Sequence, residues 1–169
     1  AMAQIRHIAI QTQDEEATAN FYVENFGLSK VRKLDSDRAS GYYLTDGNIN
    51  LAILRFKNGA VAGVERGLGW SGIHHIGFQV DDLDEAATKL ATSGMAKPRD
   101  DVNEAMGLGK GGHRVGEGNV EVRYGGPDNV LFDISQTGWV GTPTNKVRGC
   151  AGAAAWASRA RGGSTGSRA

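Results

Sequence analysis

Three side chains have the types and setting for chemistry. His7 stands in Arg6-His7-Ile8-Ala9-Ile10-Gln11, and His75 stands in His74-His75-Ile76-Gly77-Phe78-Gln79, 68 positions later. Asp133 lies in Val130-Leu131-Phe132-Asp133-Ile134, with apolar residues on both sides. A carboxylate in such a run needs a partner, and a metal ion would serve. Two imidazoles and one carboxylate make a facial triad that leaves open positions on a divalent ion. Water and an oxygen-bearing small substrate would fill those positions. His113, in a glycine-rich span, is a candidate acid or base near neutral pH. Asn50 is a candidate for orienting substrate, Tyr124 for donating to a bound oxygen, and Arg123 for pairing with a substrate carboxylate. One of Tyr42 and Tyr43 should face the same cup, with Tyr43 taken as the substrate contact. Each has a plainer alternative: a solvated loop histidine, a core tyrosine, or an exposed strand asparagine or arginine. His74 should point away from His75 by strand parity and pack or support it.

The elements that must position these residues come in two similar sets. Under the 68-residue offset Ile8 meets Ile76, Gln11 meets Gln79, Asp14 meets Asp82 and Ala19 meets Ala87. An internal repeat of this kind dictates the architecture. Each copy opens with a half-buried strand, then an acidic N-cap and a helical pattern ended by glycine, Gly27 or Gly94. Strands follow at about 28–34, 41–44 and 49–56, and later at 120–124 and 130–134. The expected domains are a first strand-helix-strand-strand-strand module over 4–57, a connector over 58–71 and a second module over 72–138. A basic Ala/Gly-rich tail over 139–169 reads as partly disordered or vector-derived. The glycine-rich span 100–119 suits a cover over a site, and its glycines fit no phosphate-binding pattern.

Composition narrows the function classes. A single cysteine, Cys150, rules out an intrachain disulfide framework. All five basic residues after position 140 lie in the tail, which has no acid, so residues 1–140 carry 14 basic and 19 acidic side chains, a net of −5. That acidic body argues against nucleic acid as a partner. The sequence shows neither a signal peptide nor an apolar run long enough for a membrane span, so a cytoplasmic location is expected.

The chain resembles the vicinal oxygen chelate superfamily of glyoxalases, bleomycin-resistance proteins and extradiol dioxygenases. The matching features are His7-Ile8-Ala9-Ile10, Glu15-Glu16-Ala17 with Phe21-Tyr22, Phe26-Gly27-Leu28, His74-His75-Ile76-Gly77-Phe78, and Gly126-Pro127-Asp128-Asn129 leading to Asp133. The resemblance implies an α+β fold of paired βαβββ modules forming a metal-binding cup, and a homodimer. It places the family's metal ligands on His7, His75 and Asp133, with Asp where the family has Glu. The fourth ligand position falls on Ala52 or Asn50. A three-ligand site is similar to the Fe(II) ring-cleaving dioxygenase branch, which would act on a catechol or α-hydroxycarbonyl. Fe(II) is the favoured ion, with Mn, Co, Ni or Zn as other occupants. A glyoxalase- or epimerase-like lyase or isomerase is the first alternative, and a metal-free antibiotic-binding protein the second.

Overall fold

A computed structural model describes residues 2–108 and 121–143. His113, most of the glycine-rich span and the tail after Pro143 lie outside these described residues. The first half runs β1 (Gln4–Gln11), α1 (Glu15–Phe26), β2 (Ser29–Asp35), β3 (Ala39–Thr45) and β4 (Asn50–Phe56). A short helix α2 (Gly59–Ala62) follows, then β5 (Gly72–Gln79), α3 (Leu83–Ser93), β6 (Lys97–Pro98), α4 (Asp100–Ala105), β7 (Val122–Gly125) and β8 (Leu131–Ser135). The fold is α+β with a βαβββ succession in each half. The short helices α2 and α4 went unread because each is under two turns, too short for periodicity to register.

Local chemistry accounts for the long helices. Asp14 accepts from the Ala17 amide at 2.9 Å and Asp82 from the Glu85 amide at 2.8 Å, so each helix starts on a capping carboxylate. Gly27 and Gly94 end them in the left-handed conformation, φ 72° and 67°. Helix α1 buries Ala19 against Leu44 and Ile53, flanked by Tyr22 and Val23. Truncating Leu44 there would cost about 2–5 kcal/mol.

The eight strands form one mixed sheet in the order β2-β3-β4-β1-β5-β8-β7-β6. Strands β1 and β5 pair antiparallel at its centre, and each has a parallel neighbour, β4 and β8. The two halves therefore meet along β1 and β5, and the repeat in the sequence becomes an approximate two-fold in space. One face packs on α1 and α3 through Ile10, Leu51, Ile53, Phe78, Phe132 and Ile134. The alternate residues, His7, Ala9, Gln11, Asn50, Ala52, His75, Gln79 and Asp133, are buried on the other face.

Two irregularities set the histidines. The β1–β5 register skips Arg6 on one strand and His74 on the other, so each bulge sits just before a site histidine. A bulge re-aims the side chains around it. This overturns the parity expectation for His74: its ring meets that of His75, with the two Nδ1 atoms 2.7 Å apart.

Candidate functional site

His7 lies opposite Gly77, and His75 lies opposite Ala9. These two small partners leave room for the imidazoles to cross the strand pair. Their Nε2 atoms are 3.1 Å apart, and both residues are buried. A Cβ on Gly77 would stand 2.7 Å from His7 Cβ and from the Trp139 ring, so only glycine fits. Trp139 lies flat on His7, centroids 4.8 Å apart and planes within 4°. It arrives on the strap after β8. Asn50 holds that strap by donating Nδ2 to the Val140 carbonyl at 2.9 Å, and Thr45 donates Oγ1 to the Gly141 carbonyl at 2.7 Å.

Asp133 is fully buried on β8, and its Oδ2 is 3.3 Å from His75 Nε2. Arg123 faces it across β7, donating Nε to Oδ1 at 2.6 Å and Nη2 to Oδ2 at 3.0 Å. The same Nη2 lies 3.2 Å from His75 Nε2. Arg123 Nη1 is buried and makes no hydrogen bond among the described residues. Helix α4 pins the backbone here: Asn103 donates Nδ2 to the Arg123 carbonyl at 3.0 Å and accepts the Arg123 amide at 2.8 Å.

The three side chains expected to share a metal ion do converge, but the expected divalent ion is contradicted. Among the described residues no group of three His, Cys, Asp or Glu side chains is arranged to hold a metal. The physical reason is Arg123. Its guanidinium takes both oxygens of Asp133 and reaches His75 Nε2, the atoms an ion would have to bind. A second cation at this depth would face strong repulsion in a low dielectric. The register also decides the fourth ligand position. Gly77 pairs with Asp133 as its repeat equivalent Ala9 pairs with Ala52. Ala52 therefore occupies that position and offers no donor atom. The Fe(II) oxygenase expectation rested on an ion that these donors do not accommodate.

The hydrogen-bond partners settle the tautomers. The Ala62 carbonyl can only accept, so His74 donates Nε2–H to it at 2.6 Å. Burial pushes His74 down to about 4, with Arg123 adding to the effect, so the ring is neutral at neutral pH and its Nδ1 accepts from His75 Nδ1–H. The lone pair of His75 is then on Nε2. On the other side the Val140 carbonyl orients the Asn50 amide, so Asn50 Oδ1 accepts His7 Nδ1–H at 2.8 Å. The lone pair of His7 is also on Nε2. Burial holds His7 at about 4 and His75 well below its ordinary value, with Arg123 as the next cause for His75. Three acceptor atoms, two imidazole nitrogens and Asp133 Oδ2, thus crowd together with Arg123 Nη2 as the donor among them. The cluster is short of one proton.

Other expected site residues lie elsewhere or act differently. Tyr124 packs among Val80, Leu108, Val122 and Ile134 and stacks on Phe132, on the helix face of the sheet. Tyr42 bonds Glu16 outside the cup. Tyr43 is half-buried, and burial followed by the field of Glu121 raises its hydroxyl above the ordinary value; Asp133 adds to this. Arg123 is neither exposed nor free for a full bidentate contact with substrate. Sequence reasoning missed Asn103, Trp139 and the repeat-equivalent Gln11 and Gln79. Gln11 Oε1, both amide atoms of Gln79 and the Trp139 Nε1 are buried without a hydrogen-bond partner. Gln11 and Gln79 could have been found, because they recur at the same offset as the histidines.

Among the described residues no helix is long and apolar enough to cross a membrane. Comparison with curated proteins gives no match. Solved structures with a similar fold include Streptomyces coelicolor methylmalonyl-CoA epimerase with 2-nitronate-propionyl-CoA, at TM-score 0.61 and 20% identity over 80% of this chain and 97% of that one. A methylmalonyl-CoA epimerase in complex with methylmalonyl-CoA and NH4+ gives TM-score 0.60 and 21% identity, covering 85% of this chain and 100% of the other. The Mycobacterium tuberculosis methylmalonyl-CoA epimerase gives 0.56 and 17%, covering 78% and 85%. At these identities the likeness is one of fold. The profile of the Glyoxalase/Bleomycin resistance protein/Dioxygenase superfamily matches residues 4–134, and the chain belongs to that superfamily, the vicinal oxygen chelate proteins.

Proposed function

We propose that this protein is an isomerase-type enzyme that moves a proton at a carbon next to a carbonyl or thioester, without a metal ion. The observation that carries the reading is the meeting of two Nε2 lone pairs at 3.1 Å beside a buried guanidinium. A neutral imidazole held at about 4 is a poor base by itself. A proton placed between the two Nε2 atoms is bonded to both rings; Arg123 opposes it, while the Asp133 charge and the enolate formed in the same step offset that repulsion, which they could not do for a divalent ion. In the forward step a substrate C–H bond breaks and its proton passes to the Nε2 pair. The electron pair moves onto the carbonyl oxygen as an enolate. Arg123 Nη1, a buried donor with no partner among the described residues, is the group to stabilise that oxygen. Return of the proton to carbon completes an epimerisation or isomerisation.

Trp139 roofs the histidines and shields them from water. The epimerases of similar fold, one of them bound to methylmalonyl-CoA, make acyl thioesters the first substrates to try. The test is solvent exchange. Wild-type protein with chelator present is incubated in D2O with α-substituted acyl-CoA thioesters and α-hydroxyketones, and deuterium at the α-carbon is followed by NMR. Exchange that disappears in His75→Ala supports the reading. Tight ligand binding with no exchange would replace it with a binding function.

A further inference from the structure

A base pair of this kind works only if both lone pairs stay on Nε2, and nothing intrinsic to an imidazole ensures that. A free histidine pair at 3.1 Å would relax: one ring would move its proton to Nε2 and donate to the other, closing a direct hydrogen bond. That relaxed pair has no exposed lone pair left to take a substrate proton. His7 is prevented from relaxing by Asn50, which accepts at Nδ1. His75 has no side-chain amide at the equivalent place: His7 pairs with Asn50 on its parallel neighbour, whereas the β5–β8 register, extended one residue before the Ile76–Phe132 pair, brings Leu131 beside His75. At His75 Nε2 the donor Arg123 Nη2 at 3.2 Å and the acceptor Asp133 Oδ2 at 3.3 Å pull the proton in opposite senses, so the Nδ1 side decides, and among the described residues Nδ1 faces His74.

We infer that His74 is the positioning residue of this site: standing on the β-bulge between Ala62 and His75, it dictates the His75 tautomer and so keeps the base open. The argument rests on direction. The Ala62 carbonyl, on the buried last residue of α2, takes the Nε2 proton of His74. His74 Nδ1 is left able only to accept, and the acceptance holds the His75 proton on Nδ1, away from His7. The ring is locked in this role by its packing. Phe56 lies 4.9 Å from its centroid, Trp70 6.2 Å away edge-on, and Arg66 bonds the His74 carbonyl, tying down the bulge. His74 is itself buried, so water does not substitute for it at His75 Nδ1. The inference rests on the proton-transfer reading for its catalytic consequence, but the tautomer itself is independent of substrate.

The experiment is long-range 1H–15N correlation NMR on uniformly 15N-labelled full-length protein at neutral pH, without substrate. Wild type should show His75 and His7 protonated on Nδ1, and His74 protonated on Nε2. In His74→Leu, His75 should switch to the Nε2–H form. His74→Gln should keep the wild-type form, since a glutamine amide both donates to the Ala62 carbonyl and accepts from His75 Nδ1. Exchange activity should follow: kcat down about 100-fold in His74→Leu with KM little changed, and within a few-fold of wild type in His74→Gln. His75 protonated on Nε2 in wild type would overturn the inference, as would a leucine variant that keeps His75 protonated on Nδ1 or a glutamine variant that switches tautomer. Should the leucine variant fail to fold, His74→Phe, which keeps a ring against Phe56 and Trp70 but offers no acceptor, makes the same test. The predicted tautomers with no exchange on any substrate would sink the proton-transfer reading and leave the positioning role standing.

Discussion

Replacing Asp133 by asparagine tests the electrostatic core of the site. The substitution keeps shape and one acceptor but removes the charge that faces Arg123. Arg123 is 3% exposed and Asp133 0%, so the guanidinium cannot turn to water when its partner is lost. Breaking one side of a buried ion pair costs about 3–5 kcal/mol. For a chain of this length each kcal/mol lowers Tm by about 2–4 °C, so Asp133→Asn should lower Tm by roughly 6–20 °C. The control is Lys57–Asp35, which has the same 2.6 Å closest approach as Arg123–Asp133 but side chains 44% and 72% exposed. Asp35→Asn should leave the unfolding midpoint nearly unchanged, since solvent screens that pair. Replacing both buried partners, Arg123→Met with Asp133→Leu, should recover most of the loss, since apolar groups of similar volume avoid the desolvation cost. Urea unfolding of the singles and the double gives the coupling directly. An Asp133→Asn cost no larger than that of Asp35→Asn would refute the reasoning. Arg123 would then not depend on Asp133, and the claim that it holds the cation position would fail.

Other outcomes can be checked alongside. Dialysis against chelator should leave Tm and exchange activity unchanged; activity lost and then restored by an added divalent ion would contradict the assignment of Arg123. His7 and His74 sit at about 4 folded against 6.5 unfolded, so between these values only the unfolded chain takes up protons. Stability should therefore fall as pH drops from about 6.5 to 4, by on the order of 3 kcal/mol per imidazole, and a flat profile from pH 7 to 5 would count against neutral buried rings. Gly77→Ala should displace Trp139 from His7, read as a change in tryptophan near-UV circular dichroism, because the new Cβ would lie 2.7 Å from both. Trp139→Ala should cost about 3–5 kcal/mol in urea unfolding and open the histidine pair to solvent; an unchanged midpoint would mean that the strap is not part of the packed structure.

The amino-acid order by itself determined the architecture. Alternating burial on the strands, carboxylate caps at Asp14 and Asp82, glycine stops at Gly27 and Gly94, and the 68-residue repeat are all local or periodic signals, and they specify two βαβββ halves, each opening on a strand with a histidine; the pairing of those two strands with each other is a tertiary fact. Parity on Asp133 was legible for the same reason. What the site is made of was decided only in three dimensions. Arg123 reads from the sequence as a contact for a substrate carboxylate or an exposed strand arginine; the pairing of β7 with β8 sets it against Asp133 instead. Strict alternation points His74 away from His75, and a bulge that alternation does not show turns it toward His75. Ala52 rather than Asn50 falls at the fourth position because of a parallel register that no single strand encodes. The physical reason is common to all three: a charge, a bulge and a register have meaning only relative to a neighbouring strand, and the strands that pair here bring together residues 10 or more positions apart along the chain.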